Sequence, residues 1–269
     1  MKKPLIWRHI FTADVTSDML KTMRLGFFAF SFWICISCTA NGQLIGVESH
    51  YARLEELSAS EPQTIGFIQE EMNLVEDFSQ LSQIILLRHG EPALDKEGWR
   101  TRKEAKQFVM DYDSVGIYPP SFVPVVLEQG ELEVIHTSSI PRSINTAQLV
   151  FKQEEIQRPD SLFREFERKI YSAPNIKLPL SWWLNNSRIL WILGMNKKGI
   201  ESFGEAKDRA RQATKKLEDD AMVNGKTLLV SHGLLNHFLV KYLEQNGWTE
   251  VYDGGSDYLA QKVLVKYGK

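Results

Sequence analysis

Three short apolar runs punctuate this chain, and polar residues follow each one at once. They are Ile84-Ile85-Leu86-Leu87, Leu132-Glu133-Val134-Ile135 and Thr227-Leu228-Leu229-Val230. Short apolar runs of this kind suit strands buried on both faces of a parallel sheet. Between and after them the period lengthens. Phe203, Ala206, Ala210, Ala213 and Leu217 share one stripe, which predicts a helix over 202–222. Ser202 with Glu205 supplies its capping box. Thr101 with Glu104 predicts the start of a helix over 102–112. Leu234, Leu235, Phe238, Leu239, Tyr242 and Leu243 make a further apolar face, closed by Asn246-Gly247. Strands alternating with helices predict a three-layer α/β/α fold with a mainly parallel central sheet, here over residues 83–269.

Upstream the pattern changes. Lys21 and Arg24 precede an apolar run from Leu25 to Cys38, and Thr39, Ala40, Asn41 and Gly42 follow. A basic start, a short apolar core and a small-residue exit are the layout of a secretory signal. The run is shorter than the roughly 20 residues a spanning helix needs. Residues 1–43 are therefore read as an export leader. Asp14 and Asp18 interrupt its basic region, which points to initiation at Met19 or Met23. Ile36-Ser37-Cys38 loosely resembles a bacterial lipoprotein cleavage site. The expectation is export, as a periplasmic or membrane-anchored lipoprotein held through a lipidated Cys38, with secretion as the alternative. Cleavage near Ala40 and an uncleaved anchor are the competing readings of the leader. Residues 44–82 are acidic in tone, and Ile65, Ile68, Met72 and Val75 recur at helical spacing. They read as a tether with one amphipathic helix.

Composition narrows the classes of function. The chain has 269 residues, 43% hydrophobic and 25% charged, the profile of a globular protein. Its formal net charge of -2 speaks against a nucleic-acid partner, so any basic site is local. Both cysteines, Cys35 and Cys38, lie in the leader, so the rest forms no disulfide. No close-spaced His/Cys/Asp ligand set is present, and neither a metal nor another cofactor is expected.

The chemistry lies just beyond the strands. Arg88-His89-Gly90 follows the first, Ser231-His232-Gly233 the third, and Thr137-Ser138-Ser139 with Arg142 the second. In open α/β sheets, ligands bind beyond the carboxyl ends of the strands. Three segments thus deliver two guanidiniums and two imidazoles to one edge. An anion would relieve their mutual repulsion, and the arginine fork matches phosphate oxygens. A helix start at Arg142-Ser143 adds backbone donors. Histidine can also act as a covalent nucleophile, a role for which no cysteine or Gly-x-Ser-x-Gly serine competes.

Leu87-Arg88-His89-Gly90-Glu91, Ser138-Ser139-Ile140-Pro141-Arg142-Ser143 and Val230-Ser231-His232-Gly233, in that order, resemble the histidine phosphatase superfamily, the phosphoglycerate mutase-like proteins. The resemblance covers about 83–269 and implies a phosphoglycerate mutase-like fold. It implies that His89 becomes phosphohistidine and that Arg88, Arg142 and His232 hold the phosphoryl oxygens. It assigns the proton donor to Glu165 in Leu162-Phe163-Arg164-Glu165, with Glu167 as runner-up. Where many relatives carry Gly-x-Trp-Glu-Gly after that glutamate, this chain has Arg168-Lys169-Ile170-Tyr171, followed by Trp182, Trp183 and Trp191. The lid is therefore unusual. The expected activity is a phosphatase acting on a small phosphorylated metabolite. A mutase and a catalytically silent phosphate-binding module are the alternatives, and the oligomeric state stays open.

Overall fold

The computed structural model describes residues 41–58, 66–120, 132, 134–151 and 157–268. All of them belong to the unit Thr39–Lys269. The leader, with Cys35, Cys38 and the alternative starts, lies outside the described residues apart from Asn41–Leu44, a single 3-10 turn.

The helices are α1 (Ile45–Ser58), α2 (Arg102–Ser114), α3 (Pro141–Phe151), α4 (Leu180–Ile192), α5 (Phe203–Asn224) and α6 (Gly233–Gln245). The strands are β1 (Leu81–Arg88), β2 (Trp99–Thr101), β3 (Ile135–Ser138), β4 (Gln157–Asp160), β5 (Lys177–Pro179), β6 (Lys226–Ser231), β7 (Thr249–Asp253) and β8 (Gln261–Tyr267). A six-stranded sheet runs in the order β4-β3-β6-β1-β8-β7. β4, β3, β6 and β1 pair in parallel, whereas β8 is antiparallel to β1 and to β7. A sheet of this kind needs cover on both faces. Ile85 and Leu87 face a core with Val47, Tyr51, Ala147 and Phe151, so α1 and α3 cover that side. Ile84 and Leu86 face a core with Ala206, Ala213, Leu217 and Leu239, so α5 and α6 cover the other. This is the three-layer α/β/α arrangement that the alternation predicts.

Helix starts agree closely with the caps read from sequence. Thr101 and Glu104 form a complete capping box on α2, and Ser202 and Glu205 form one on α5. The second strand is displaced: residues 135–138 form it rather than 132–135. Residues 66–75 differ more, and Ile65 lies outside the described residues. They carry only the 3-10 turn Glu70–Met72, and the helix of this region is α1 instead. The reason lies in the buried Gln83. Its side chain accepts from Ile68 N–H at 2.7 Å and donates to Ile68 C=O at 3.0 Å. The Ile68 backbone is thereby satisfied outside any helix, and its side chain still enters the core. Of the spaced residues, Ile68 is buried and Val75 partly so, whereas Met72 is exposed. α1 packs against the main core through Val47 and Tyr51.

A smaller layer forms from β2, β5, α2 and α4. Its core holds Ala105, Phe108, Ile170, Leu180 and Trp183. Trp183 is fully buried and donates Nε1–H to Arg100 C=O at 2.9 Å. Trp191 is buried in the core beneath α5 and α6, and Trp182 is half exposed, at 50%. This layer matters because the end of α2 reaches the strand edge bearing the conspicuous histidines.

Candidate active site

The strand order explains why the three sequence blocks meet. β6 lies between β1 and β3, parallel to both, so all three carboxyl ends point to one edge. Arg88 pairs in register with Ser231, and Thr137 with Val230. His89 N–H donates to Ser231 C=O at 2.9 Å, extending the ladder one residue past the strand. His89 and His232 therefore emerge side by side. Their ring centroids stand 5.0 Å apart, and both residues are buried.

The His89 ring has defined partners. Nδ1 lies 2.7 Å from Gly90 C=O, a contact only an N–H can make. The other nitrogen, Nε2, therefore carries the lone pair, and it accepts from Arg142 Nε–H at 3.1 Å. Burial, then the charges of Arg142 and Arg88, hold the His89 pKa well below the ordinary imidazole value, with Lys96 adding to the effect. The Gly90 N–H donates to Thr146 Oγ1 at 2.9 Å, and Thr146 donates to Arg142 C=O at 2.6 Å. The loop and α3 are thus tied together behind the imidazole.

Arg142 sits at the second position of α3 and is buried. Its Nη1 donates to Tyr112 C=O at 2.6 Å and meets Asp113 at 3.4 Å. Its guanidinium lies 4.4 Å over the Tyr112 ring. Arg88 donates to Ser256 C=O and lies 4.6 Å over the Tyr258 ring. His232 Nε2 contacts Ser138 Oγ at 2.8 Å and Ser143 Oγ at 3.4 Å. Burial, with His89, Arg142 and Arg88 next, holds the His232 pKa well below its ordinary value. Among the described residues, Arg88 Nε and His232 Nδ1 are buried without a hydrogen-bond partner. Buried polar groups nearly always have partners, and an anion bound at this edge would supply one to each.

The two glutamates part company in space. Glu165 Oε2 accepts from Leu234 N–H at 3.3 Å, on the first turn of α6, directly after His232. Glu167 turns to another segment and accepts from Glu201 N–H at 2.7 Å. The sequence reading named Arg88, His89, Arg142, Glu165 and His232, and the fold brings these to one edge. It passed over Ser138 and Ser143 as His232 partners, Thr146 as the link, and Lys96, Tyr112 and Tyr258. The signal for Ser143 and Thr146 was their place on the first turns of α3. Tyr112 and Tyr258 had none, because both arrive from segments remote in the chain.

Chemically, the edge offers a neutral imidazole with a directed lone pair, two guanidiniums, a second imidazole with an orphaned nitrogen, and a carboxylate at a helix start. That set can bind a tetrahedral anion and accept a phosphoryl group. Among the described residues, no group of three or more His, Cys, Asp or Glu is placed to hold a metal ion.

The sequence model of the histidine phosphatase superfamily (branch 1) matches residues 84–265. Among curated proteins none matches. Similar solved structures include phosphoglycerate mutase from Bacillus anthracis str. Sterne, at 15% identity and a TM-score of 0.43, covering 71% of this chain and 91% of that one. A mycobacterial glucosyl-3-phosphoglycerate phosphatase is another, at 18% identity and a TM-score of 0.40, covering 69% of this chain and 90% of that one.

Proposed function

The chain belongs to the histidine phosphatase superfamily, and from that premise we propose that it hydrolyses small phosphomonoesters through a phosphohistidine at His89. Members of that superfamily are phosphatases or mutases. One observation carries the reading. His89 Nδ1–H is engaged by the Gly90 carbonyl, so the Nε2 lone pair is directed at the edge that holds Arg88, Arg142 and His232.

The steps follow from the groups present. A phosphomonoester dianion enters and draws the Arg142 donor away from His89 Nε2 onto its own oxygens. Arg88 Nε–H gains the partner that the protein does not supply. With Ser138 Oγ–H donating to His232 Nε2, the His232 proton sits on Nδ1 and points to a phosphoryl oxygen. His89 Nε2 then attacks phosphorus. The N–P bond forms as the P–O bond to the leaving group breaks. The developing charge meets guanidiniums already in place, the usual source of catalysis in phosphoryl transfer. Protonated Glu165 gives its proton to the leaving oxygen. As a carboxylate it then takes a proton from water, whose oxygen attacks phosphorus and breaks the N–P bond. Inorganic phosphate departs, and His89 and Glu165 return to their starting states.

The full-length chain, incubated with a radiolabelled aryl phosphate and quenched in alkali, tests this. An acid-labile, alkali-stable label on the wild type that disappears in His89→Ala supports the mechanism. Label on His89→Ala sinks it. Release of inorganic phosphate marks hydrolysis, and transfer to a second hydroxyl without release marks a mutase.

The reading includes export to a bacterial envelope. The apolar run ending at Cys38, with small residues after it, supports this, and Cys38 is the residue that would carry lipid. Radioactive fatty acid incorporated by the wild type and absent from Cys38→Ser would support an anchor there. Equal labelling of the two would exclude it.

A further inference from the structure

α4 turns apolar side chains both inward and outward. Leu180, Trp183 and Trp191 are buried beneath it. On the opposite side Trp182, Ile189, Ile192 and Leu193 are all exposed, Leu193 by 63%. At about 100° per residue these four fall within one stripe. Asn186 lies in the same stripe, but its amide turns back to Trp182 C=O at 2.8 Å. Met195, just past the helix, is exposed as well. Six of the thirteen large apolar side chains exposed among the described residues fall within residues 168–200. A surface helix ordinarily shows polar residues outward. A contiguous apolar patch there marks a place of contact with another surface.

Charge narrows what that surface is. Residues 168–200 hold six basic side chains and no Asp or Glu, in a chain whose 34 acidic residues outnumber its 32 basic ones. Arg188 points inward, onto the carbonyls of Phe166 and Glu167. Lys197 and Lys198 are exposed, directly beyond Met195. The next acidic residues along the chain are engaged within the fold, Glu201 by Arg209 and Glu205 in the capping box of α5. A second copy of this face would set lysines against lysines, so an interface between copies is disfavoured. An anionic surface answers them.

We propose that the outer face of α4, with Met195 and the Lys197–Lys198 pair, rests on an anionic lipid bilayer. No helix among the described residues is long and apolar enough to cross a membrane, so α4 lies along the bilayer and not through it. Its apolar stripe enters the boundary between headgroups and acyl chains, with the Trp182 indole at headgroup level. The two lysine ammoniums meet lipid phosphates. The export reading supplies the occupant, because a chain held in the envelope by its apolar run Leu25–Cys38 works beside a bilayer. The inference rests on that reading for its partner and is independent of the phosphatase reading.

Nitroxide labels on the full-length chain test this, with Cys35→Ser and Cys38→Ser leaving one reactive thiol. One label sits at Leu193→Cys and a control at Val223→Cys on α5; both positions are exposed, so the fold is not at stake. Vesicles of phosphatidylcholine alone are compared with vesicles that also contain phosphatidylglycerol. Oxygen concentrates among acyl chains, whereas a polar nickel chelate stays in water, so the ratio of their effects on the label's paramagnetic resonance reads depth. On the anionic vesicles that ratio should rise roughly threefold or more at 193 and stay unchanged at 223. Lys197→Glu with Lys198→Glu should abolish most of the rise. A 193 label that keeps its chelate contact while the chain is vesicle-bound overturns the proposal, leaves the face to a protein partner and leaves export standing. A label already shielded without vesicles overturns it too, because the chain or a second copy then covers the face. So does an equal rise on neutral vesicles that the glutamates do not alter. A chain that binds neither vesicle overturns the docking, and fatty-acid labelling at Cys38 then decides the anchor separately.

Discussion

The carboxylate of Glu165 accepts the backbone N–H of Leu234 at 3.3 Å, on the helix turn that begins directly after His232. The contact ties the Glu165 side chain to the start of the helix that follows His232. Glu167, two residues on, is committed to Glu201 N–H. Glu165→Gln should therefore lower kcat by about 10²–10⁴-fold on poor leaving groups, the range usual for a lost general acid–base. With an activated aryl phosphate the first step needs no acid, and phosphoenzyme should accumulate. Glu167→Gln should leave kcat within severalfold. Rapid-quench kinetics on both variants would show the reverse order if the assignment were wrong.

Gly233 opens α6 next to Arg88. A Cβ there would lie 3.3 Å from Arg88 Nε and 3.4 Å from its Cζ. Alanine suits a helix better than glycine does, by roughly 1 kcal/mol in an interior position, so Gly233→Ala should not lower stability. It should displace the guanidinium and raise KM for a phosphomonoester, on the order of tenfold, the effect of losing one charged hydrogen bond. A thermal melt paired with steady-state kinetics checks both halves.

Two buried neutral imidazoles make stability depend on pH. Burial first, then the charges of Arg142 and Arg88, hold the His89 pKa well below the ordinary imidazole value of about 6.5, and burial, then His89, Arg142 and Arg88, do the same for His232. Below that value the unfolded chain takes up protons that the folded chain refuses. Stability should therefore fall as pH drops below 6.5 and be level above it, as far as these groups are concerned. Inorganic phosphate bound at the site should offset the loss, with about 2.7 kcal/mol gained at a hundred times its Kd. Melting temperatures across pH 5–8, with and without phosphate, measure this; His89→Ala should show a shallower slope.

The capping box on α5 is complete, with Ser202 Oγ accepting Glu205 N–H at 3.2 Å and Glu205 accepting Ser202 N–H at 2.7 Å. Ser202→Ala should cost about 1 kcal/mol. For a domain of this size that corresponds to roughly 2–4 °C in Tm. An unchanged melt would mean that packing of α5 alone holds its first turn.

Local rules carried much of this molecule. Continuous apolar runs announced β1 and β6, because strands buried on both faces need no polar alternation. The boxes at Thr101 and Ser202 marked helix starts, because a cap is satisfied by residues three apart in the chain. Arg88, His89, Arg142 and His232 were legible because each follows a strand or opens a helix. What no local rule contained was the order β3-β6-β1, which sets His89 against His232 and Glu165 beside α6. Nor did it contain the Gln83 clasp on Ile68, which satisfies that residue's backbone outside any helix. The Tyr112 and Tyr258 rings under Arg142, Arg88 and Lys96 belong to the same group. The physical reason is one of range. Caps and burial periods depend on neighbours along the chain, whereas register, ring stacking and side-chain clasps depend on segments that meet only after the sheet has formed.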